Sequence, residues 1–324
     1  MTTTSPDDAA RFAKEFARVQ QNIEQVIRGK SEVVATALVC LFAEGHLLID
    51  DVPGVGKTSV ARALAASIDG EWQRIQFTPD LLPSDVTGVT ILNQVSGEFE
   101  FRAGDVFANV VLADEINRAS PKTQSALLEV MEERRVSANG ETHDVPRPFM
   151  VVATQNPVEM DGTYRLPEAQ LDRFLIRTQM GYPNTQSEIE ILDGYHEGAE
   201  IDALAPVITT DTVRAMVGVA AGVQVSAGVK AYMVALAAAT RALPDVRLGA
   251  SPRGSLALLR VARSAAAAAG RNYVIPEDVK RLAVGVLAHR MILTPDAELR
   301  GVKAEDVVGS VLSAVPVPRD HVPA

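Results

Sequence analysis

The chain has 324 residues, 47% of them hydrophobic, and a formal net charge of −10. That length accommodates two domains of ordinary size, and the composition marks no interior segment as disordered. The acidic balance argues against general nucleic-acid affinity, which needs a basic footprint. The single cysteine, Cys40 among Ala, Leu and Val, excludes disulfide staples and cysteine metal clusters within the chain.

The five histidines, His46, His143, His196, His289 and His321, form no close-spaced ligand pair. Met1 to Ala10 has no apolar stretch of the kind a signal peptide carries, and eighteen apolar residues never run unbroken. No membrane span is expected, and the chain reads as soluble and cytoplasmic.

Phe12, Phe16, Val19, Ile23 and Val26 recur at three- and four-residue spacing, which predicts an amphipathic helix over 11–26. Ile27-Arg28-Gly29-Lys30 interrupts it before a second helix, Glu32 to Ala43. Ile27 and Gly29 are candidates for an adenine pocket or simply a turn joining two helices.

Leu47-Leu48-Ile49 reads as a strand running into Asp51-Val52-Pro53-Gly54-Val55-Gly56-Lys57-Thr58-Ser59, and a helix follows. Strand, glycine loop and helix N-terminus together form a phosphate-binding loop, because loop N–H groups and the helix dipole both favour an anion. Pro53, Gly54, Val55, Gly56, Lys57, Thr58 and Ser59 are the candidate ATP-binding residues. Lys57 would reach the β- and γ-phosphates, and the Thr58 hydroxyl would ligate Mg²⁺. One residue departs from the pattern: Asp51 stands where such loops open with Gly. The plainer alternative is an ordinary Gly turn.

Residues 73–77 read as the second strand. Thr90–Val95 and Glu98–Arg102 predict a hairpin, with Phe99 and Phe101 alternating with charged residues. Phe101 serves either hairpin packing or a partner surface. Asn109 to Ala113 is an apolar run of the kind buried on both faces of a sheet, and it ends in Asp114-Glu115. Ligands of open α/β sheets bind at that edge. Asp114 is therefore a candidate to hold Mg²⁺ through its water shell, and Glu115 to polarise the attacking water. A solvated acidic turn is the alternative.

Ser120-Pro121 opens a helix through Glu133. A second hairpin follows around Asn139-Gly140, the strongest short hairpin signal. Residues 149–154 form a fourth strand ending beside Asn156, which would orient water or meet the γ-phosphate, or else be a turn Asn before Pro157. Glu168–Asp172 is a short helix leading through Arg173 to a fifth strand, 174–178. Five strands interleaved with helices predict an α/β fold, a parallel sheet with helices on both faces. Beyond Tyr182 the chain reads as all-helical, over 185–198, 209–221, 228–242, 252–269, 276–289 and 304–314. Arg253 lies on the first turn of the fourth of these helices, against the dipole, as though placed to meet an anion. A Pro-rich tail begins at Pro316.

Residues 52–58, 112–119, 153–157, 166–174, 249–253 and 273–279, in that order and spanning nearly the whole chain, resemble the MoxR family of AAA+ ATPases. The resemblance implies a Mg²⁺-dependent ATPase with an αβα P-loop sandwich over 1–182, a helical lid over 183–315 and a flexible tail over 316–324. The hairpins, about 89–102 and 134–147, match the two inserts of this clade. Gly104-Asp105-Val106-Phe107 departs from the Gly-Pro-x-Phe usual there. By resemblance Asn156 is sensor 1, Arg253 is the sensor 2 residue contacting phosphate from the lid, and Arg173 is a finger acting on the neighbouring subunit's nucleotide. The resemblance also implies a homo-oligomeric ring, usually a hexamer, a protein client and a partner with a von Willebrand factor A domain. Alternatives are an ATP-gated scaffold, a metal-chelatase motor subunit and, disfavoured by charge, a nucleic-acid motor.

Overall fold

The computed structural model describes residues 3–51, 54–95, 97–156, 164, 166–182, 185–186, 188–189 and 201–318. Pro53 and most of the expected helix 185–198 lie outside the described residues.

Two helices, α1 (Pro6–Glu24) and α2 (Ser31–Phe42), precede β1 (Leu47–Asp50) and α3 (Lys57–Ser67). There follow β2 (Trp72–Gln76), α4 (Pro83–Thr87), the hairpin β3 (Gly88–Leu92) and β4 (Phe99–Ala103), β5 (Val110–Asp114) and α5 (Pro121–Glu133). The second hairpin, β6 (Arg135–Ala138) and β7 (Glu141–Asp144), leads to β8 (Met150–Gln155), α6 (Glu168–Leu171) and β9 (Ile176–Thr178). Five strands form one parallel sheet in the order β2-β5-β8-β1-β9.

Side chains along a strand alternate between faces, and here both faces are dry. Leu47, Ile49, Val110, Leu112, Met150 and Val152 face one core, shared with α1, α2 and α3. Leu48, Val111, Ala113, Val151 and Ala153 face another, shared with α5. This is the αβα sandwich expected from the interleaved pattern.

The lid comprises α7 (Thr210–Gly222), α8 (Ala227–Ala242), α9 (Pro252–Ala268), α10 (Pro276–Leu287), α11 (Pro295–Leu299) and α12 (Ala304–Ala314). It also holds β10 (Val246–Leu248) paired antiparallel with β11 (Ile292–Leu293), and neither this pair nor α11 was expected. Strands of two or three residues are too short to show a period. Helix α4 was likewise missed, being a five-residue helix in a Pro-containing stretch.

Both hairpins form. Asn139 and Gly140 take φ of 52° and 83°, the paired positive values of a type I′ turn. The rings of Phe101 and His143 stack at 3.9 Å, joining the hairpins, and Phe107 meets Phe101 edge-on at 5.6 Å. Phe101 is thus a packing residue, whereas Phe99 is exposed. The residues just before α1 reach the lid: the Thr4 N–H donates to the Gly222 carbonyl at 3.1 Å and its hydroxyl to that of Val219 at 2.6 Å.

Candidate active site

Parallel register brings the ends of β1, β5 and β8 to one edge. Glycine is required in the loop at that edge, because Gly54 and Gly56 hold φ of 85° and 93°. Gly56 is the N-cap of α3 and brings no side chain. Hydroxyls of Ser5, Ser120, Thr209, Ser226, Ser251 and Thr294 cap six other helices. The first turn of α3, with Lys57, Thr58 and Ser59, therefore leaves its N–H groups to an external anion. Lys57 is buried, its Nζ donating to the Asp51 carbonyl at 2.8 Å. Ammonium, left-handed glycines and an uncapped helix start are the donor set a polyphosphate needs.

Asp114 ends β5 and Glu115 follows it, and Thr154 on β8 ties them together. Its hydroxyl donates to Asp114 Oδ1 at 2.7 Å and accepts the Glu115 N–H at 2.8 Å. Glu115 itself is left-handed, with φ of 55°. Such a conformation costs a non-glycine residue about 1–2 kcal/mol. Asn156, one residue beyond β8, is buried at the same edge. Lys57, Thr58, Asp114, Glu115 and Asn156 thus lie at one edge of the sheet, and the oxygens of Thr58 and Asp114 are those that could hold a hard cation partly through water.

Sequence reasoning missed Arg74 and Gln76 on β2, the neighbouring strand. Arg74 Nη2 donates to Asp114 Oδ2 at 2.6 Å, and Gln76 Nε2 donates to Glu115 Oε2 at 3.0 Å. Arg118 also pairs with Glu115, at 3.0 Å. The available signal was polar residues spaced two apart on one strand, at the height of Asp114 in an adjacent parallel strand.

The turn holding Ile27 and Gly29 comes to the same region. Ile27 is in the core and Gly29 has φ of 69°. The next residue, Lys30, donates to the carbonyls of Met180, Gly181 and Tyr182 at 2.6, 3.0 and 2.8 Å. Val55 packs partly buried against the larger core.

Arg173 and Arg253 lie elsewhere. They line a cleft of about 370 Å³ with Glu44, Gly45 and His46, which precede β1 and so mark the opposite edge of the sheet. Helix α5 runs back from the carboxyl edge and delivers Glu132 there. Glu132 accepts from Arg173 Nε at 2.9 Å and from Arg253 Nη2 at 3.4 Å. The Arg173 hydrogen bond holds the Glu132 carboxyl below its ordinary pKa. Arg290, buried in the lid, pairs with Asp172 at 2.7 Å and donates to the Phe174 carbonyl at 2.7 Å, fastening the Arg173 segment to the lid. Arg253, read from its helix position as placed to meet an anion, pairs here with the Glu132 carboxylate.

Residues 46–176 match the ATPase family associated with various cellular activities (AAA), and residues 238–311 match the AAA lid domain. The chain is 50% identical to the uncharacterized protein YeaC of Bacillus subtilis over 94% of this chain and 95% of that one. It is 43% identical to the chaperone MoxR1 of Mycobacterium tuberculosis, over 97% and 86%, and 30% identical to the protein MoxR of Methylorubrum extorquens, over 98% and 97%. A crystal structure from Cytophaga hutchinsonii superposes with a TM-score of 0.89 at 36% identity, covering 97% of this chain and 98% of that one. Among the described residues, no helix is long and apolar enough to cross a membrane.

Proposed function

The chain belongs to the MoxR family of AAA+ ATPases, and from that premise we propose that it couples ATP hydrolysis to chaperone-like remodelling, assembly or maturation of a protein partner. The observation that carries this reading is the division of the candidate groups between opposite edges of one sheet. Phosphate-binding and water-activating residues stand at one edge, and Arg173 and Arg253 at the other. The four residues of β1 alone separate the edges by roughly 13 Å, which sets the arginines apart from their own loop. They fit the loop of a second copy, and repetition of that head-to-tail contact closes a ring.

In this reading Gly54, Val55, Gly56, Lys57 and Ser59 bind the phosphates, and Pro53 belongs to the same loop. Ile27 and Gly29 border the adenine. Mg²⁺, held through Thr58 and the water shell of Asp114, would neutralise charge developing on the phosphoryl oxygens. Glu115 accepts the proton of the attacking water, Asn156 orients it, and Arg173 and Arg253 of the neighbour stabilise the transition state. Such arginines are worth roughly 10³–10⁵ in rate. A hexameric ring working in the cytoplasm beside a partner with a von Willebrand factor A domain completes the proposal. The word chaperone in the name of the mycobacterial relative supports its direction.

Glu115→Gln tests the chemistry. The variant is expected to bind ATP as the parent does and to lose turnover by about 10²–10⁴-fold, and to hold its client in ATP but release it in ADP. Parental turnover in this variant would remove Glu115 from the mechanism.

A further inference from the structure

Asp51 occupies the position where phosphate loops open with glycine, and three different parts of the molecule engage its polar groups. Its N–H donates to the Gln155 carbonyl at 3.1 Å, immediately before Asn156. Its carbonyl accepts from Lys57 Nζ at 2.8 Å. Its carboxylate Oδ2 accepts the N–H groups of Met180 at 2.7 Å and Gly181 at 2.5 Å, in the segment that leaves β9 for the lid. Lys30 Nζ grips the carbonyls of that same segment, Met180, Gly181 and Tyr182. Asp51 is 9% exposed, so these charge-assisted bonds are little screened by water. Met180 also stands beside the loop, since a Cβ added to Gly56 would lie 3.7 Å from its Cε.

A glycine at position 51 would make the first two contacts and lack the third. We infer that Asp51 is a positioning residue that transmits the state of the phosphate loop to residues 180–182 and so to the lid, with Lys30 as the opposing anchor. The inference rests on the reading of residues 54–58 as a phosphate loop. When Lys57 Nζ turns to a phosphate it leaves the Asp51 carbonyl, and the peptide there is released. Because the same residue holds Met180 and Gly181 by its side chain and the end of β8 by its N–H, its displacement reaches both. Binding at the loop is thereby felt beside Asn156 and at the exit to the lid.

The test compares the parent chain with Asp51→Gly, Asp51→Asn, Lys30→Met and Lys57→Ala. ATP affinity, kcat and KM are measured, together with amide hydrogen exchange of the 176–182 segment with and without Mg·ATPγS. In the parent, nucleotide is expected to change exchange at 176–182. Asp51→Gly should keep ATP affinity within about threefold while kcat falls about 10–100-fold, and 176–182 should exchange fast and ignore nucleotide. Asp51→Asn, which retains an acceptor, should recover part of both, and Lys30→Met should blunt the exchange response with the loop intact. A parental kcat and an intact exchange response in Asp51→Gly would overturn the inference. If that variant does not fold, an intact response in both Asp51→Asn and Lys30→Met would overturn it equally. Loss of ATP binding in Lys57→Ala separates this failure from failure of the loop itself. If Lys57→Ala binds ATP like the parent, the phosphate-loop reading falls and the inference with it.

Discussion

His46 shows how much one side chain can commit to being neutral. It precedes β1, it is buried, and both ring nitrogens are used. Nδ1 accepts the Val151 N–H at 3.0 Å, which leaves Nε2–H to donate to the Met131 carbonyl at 3.0 Å. Burial pushes its pKa down to about 3, against about 6.5 for an unfolded histidine. Well above pH 6.5 neither state is protonated at this site, and its stabilising contribution is complete. Below it the unfolded chain takes up a proton that the folded chain refuses, so stability falls as pH drops from 6.5 towards 3. The slope is up to about 1.4 kcal/mol per pH unit for such a residue. His289, also buried and held well below its ordinary pKa, acts in the same direction. Urea midpoints are expected to decline from pH 7 to pH 5 in the parent and to decline less in His46→Gln. Equal slopes would free His46 of this role.

At the scale of elements, the first hairpin shows which glycines a sheet can spare. A Cβ on Gly104, just past β4, would stand 2.4 Å from the Val86 carbonyl oxygen and 2.5 Å from the Gly88 nitrogen. Both obstacles are backbone, so α4 and the base of the hairpin would have to part. Gly104→Ala is expected to cost about 1–3 kcal/mol in urea unfolding, as overpacking does. Gly97→Ala at the tip has open space around it and pays for its φ of 72° alone, about 1–2 kcal/mol at most. Gly104→Ala without measurable cost would show that this junction yields easily. The departure of Gly104-Asp105-Val106-Phe107 from the family pattern leaves this contact in place, since Gly104 is kept and the Val106 N–H donates to the Val86 carbonyl at 3.1 Å.

At the scale of the whole molecule, one apolar cluster runs from α1 and α2 through one sheet face into the lid. The lid also reaches Arg173, because Arg290 clamps Asp172 and Phe174. Arg173 and Arg253 stand on one side of the chain and its loop on the other, and complementation tests whether two copies share a site. Arg173→Ala and Lys57→Ala are each expected to be inactive alone. Mixed in equal amounts, they should recover a measurable share of parental ATPase, because some interfaces then pair an intact loop with an intact arginine. No recovery on mixing would argue that Arg173 acts within its own chain or not at all.

Local chemistry was legible in the sequence by itself. The glycine loop, the Asn139-Gly140 turn, the apolar run ending in Asp114-Glu115 and the five-strand αβα pattern depend on neighbours within a few residues or on short periods. The order of strands, and hence which strand ends meet, was decided only by the tertiary structure. So were the grip of Arg74 and Gln76 on Asp114 and Glu115 and the gathering of Arg173 and Arg253 at the far edge. The hold of Asp51 on Met180, 129 residues away, belongs with them. In the sequence Asp51 was a flaw in a glycine pattern, because a pattern records which residue fits a conformation. A buried carboxylate owes its place to the hydrogen-bond donors that the fold brings to it.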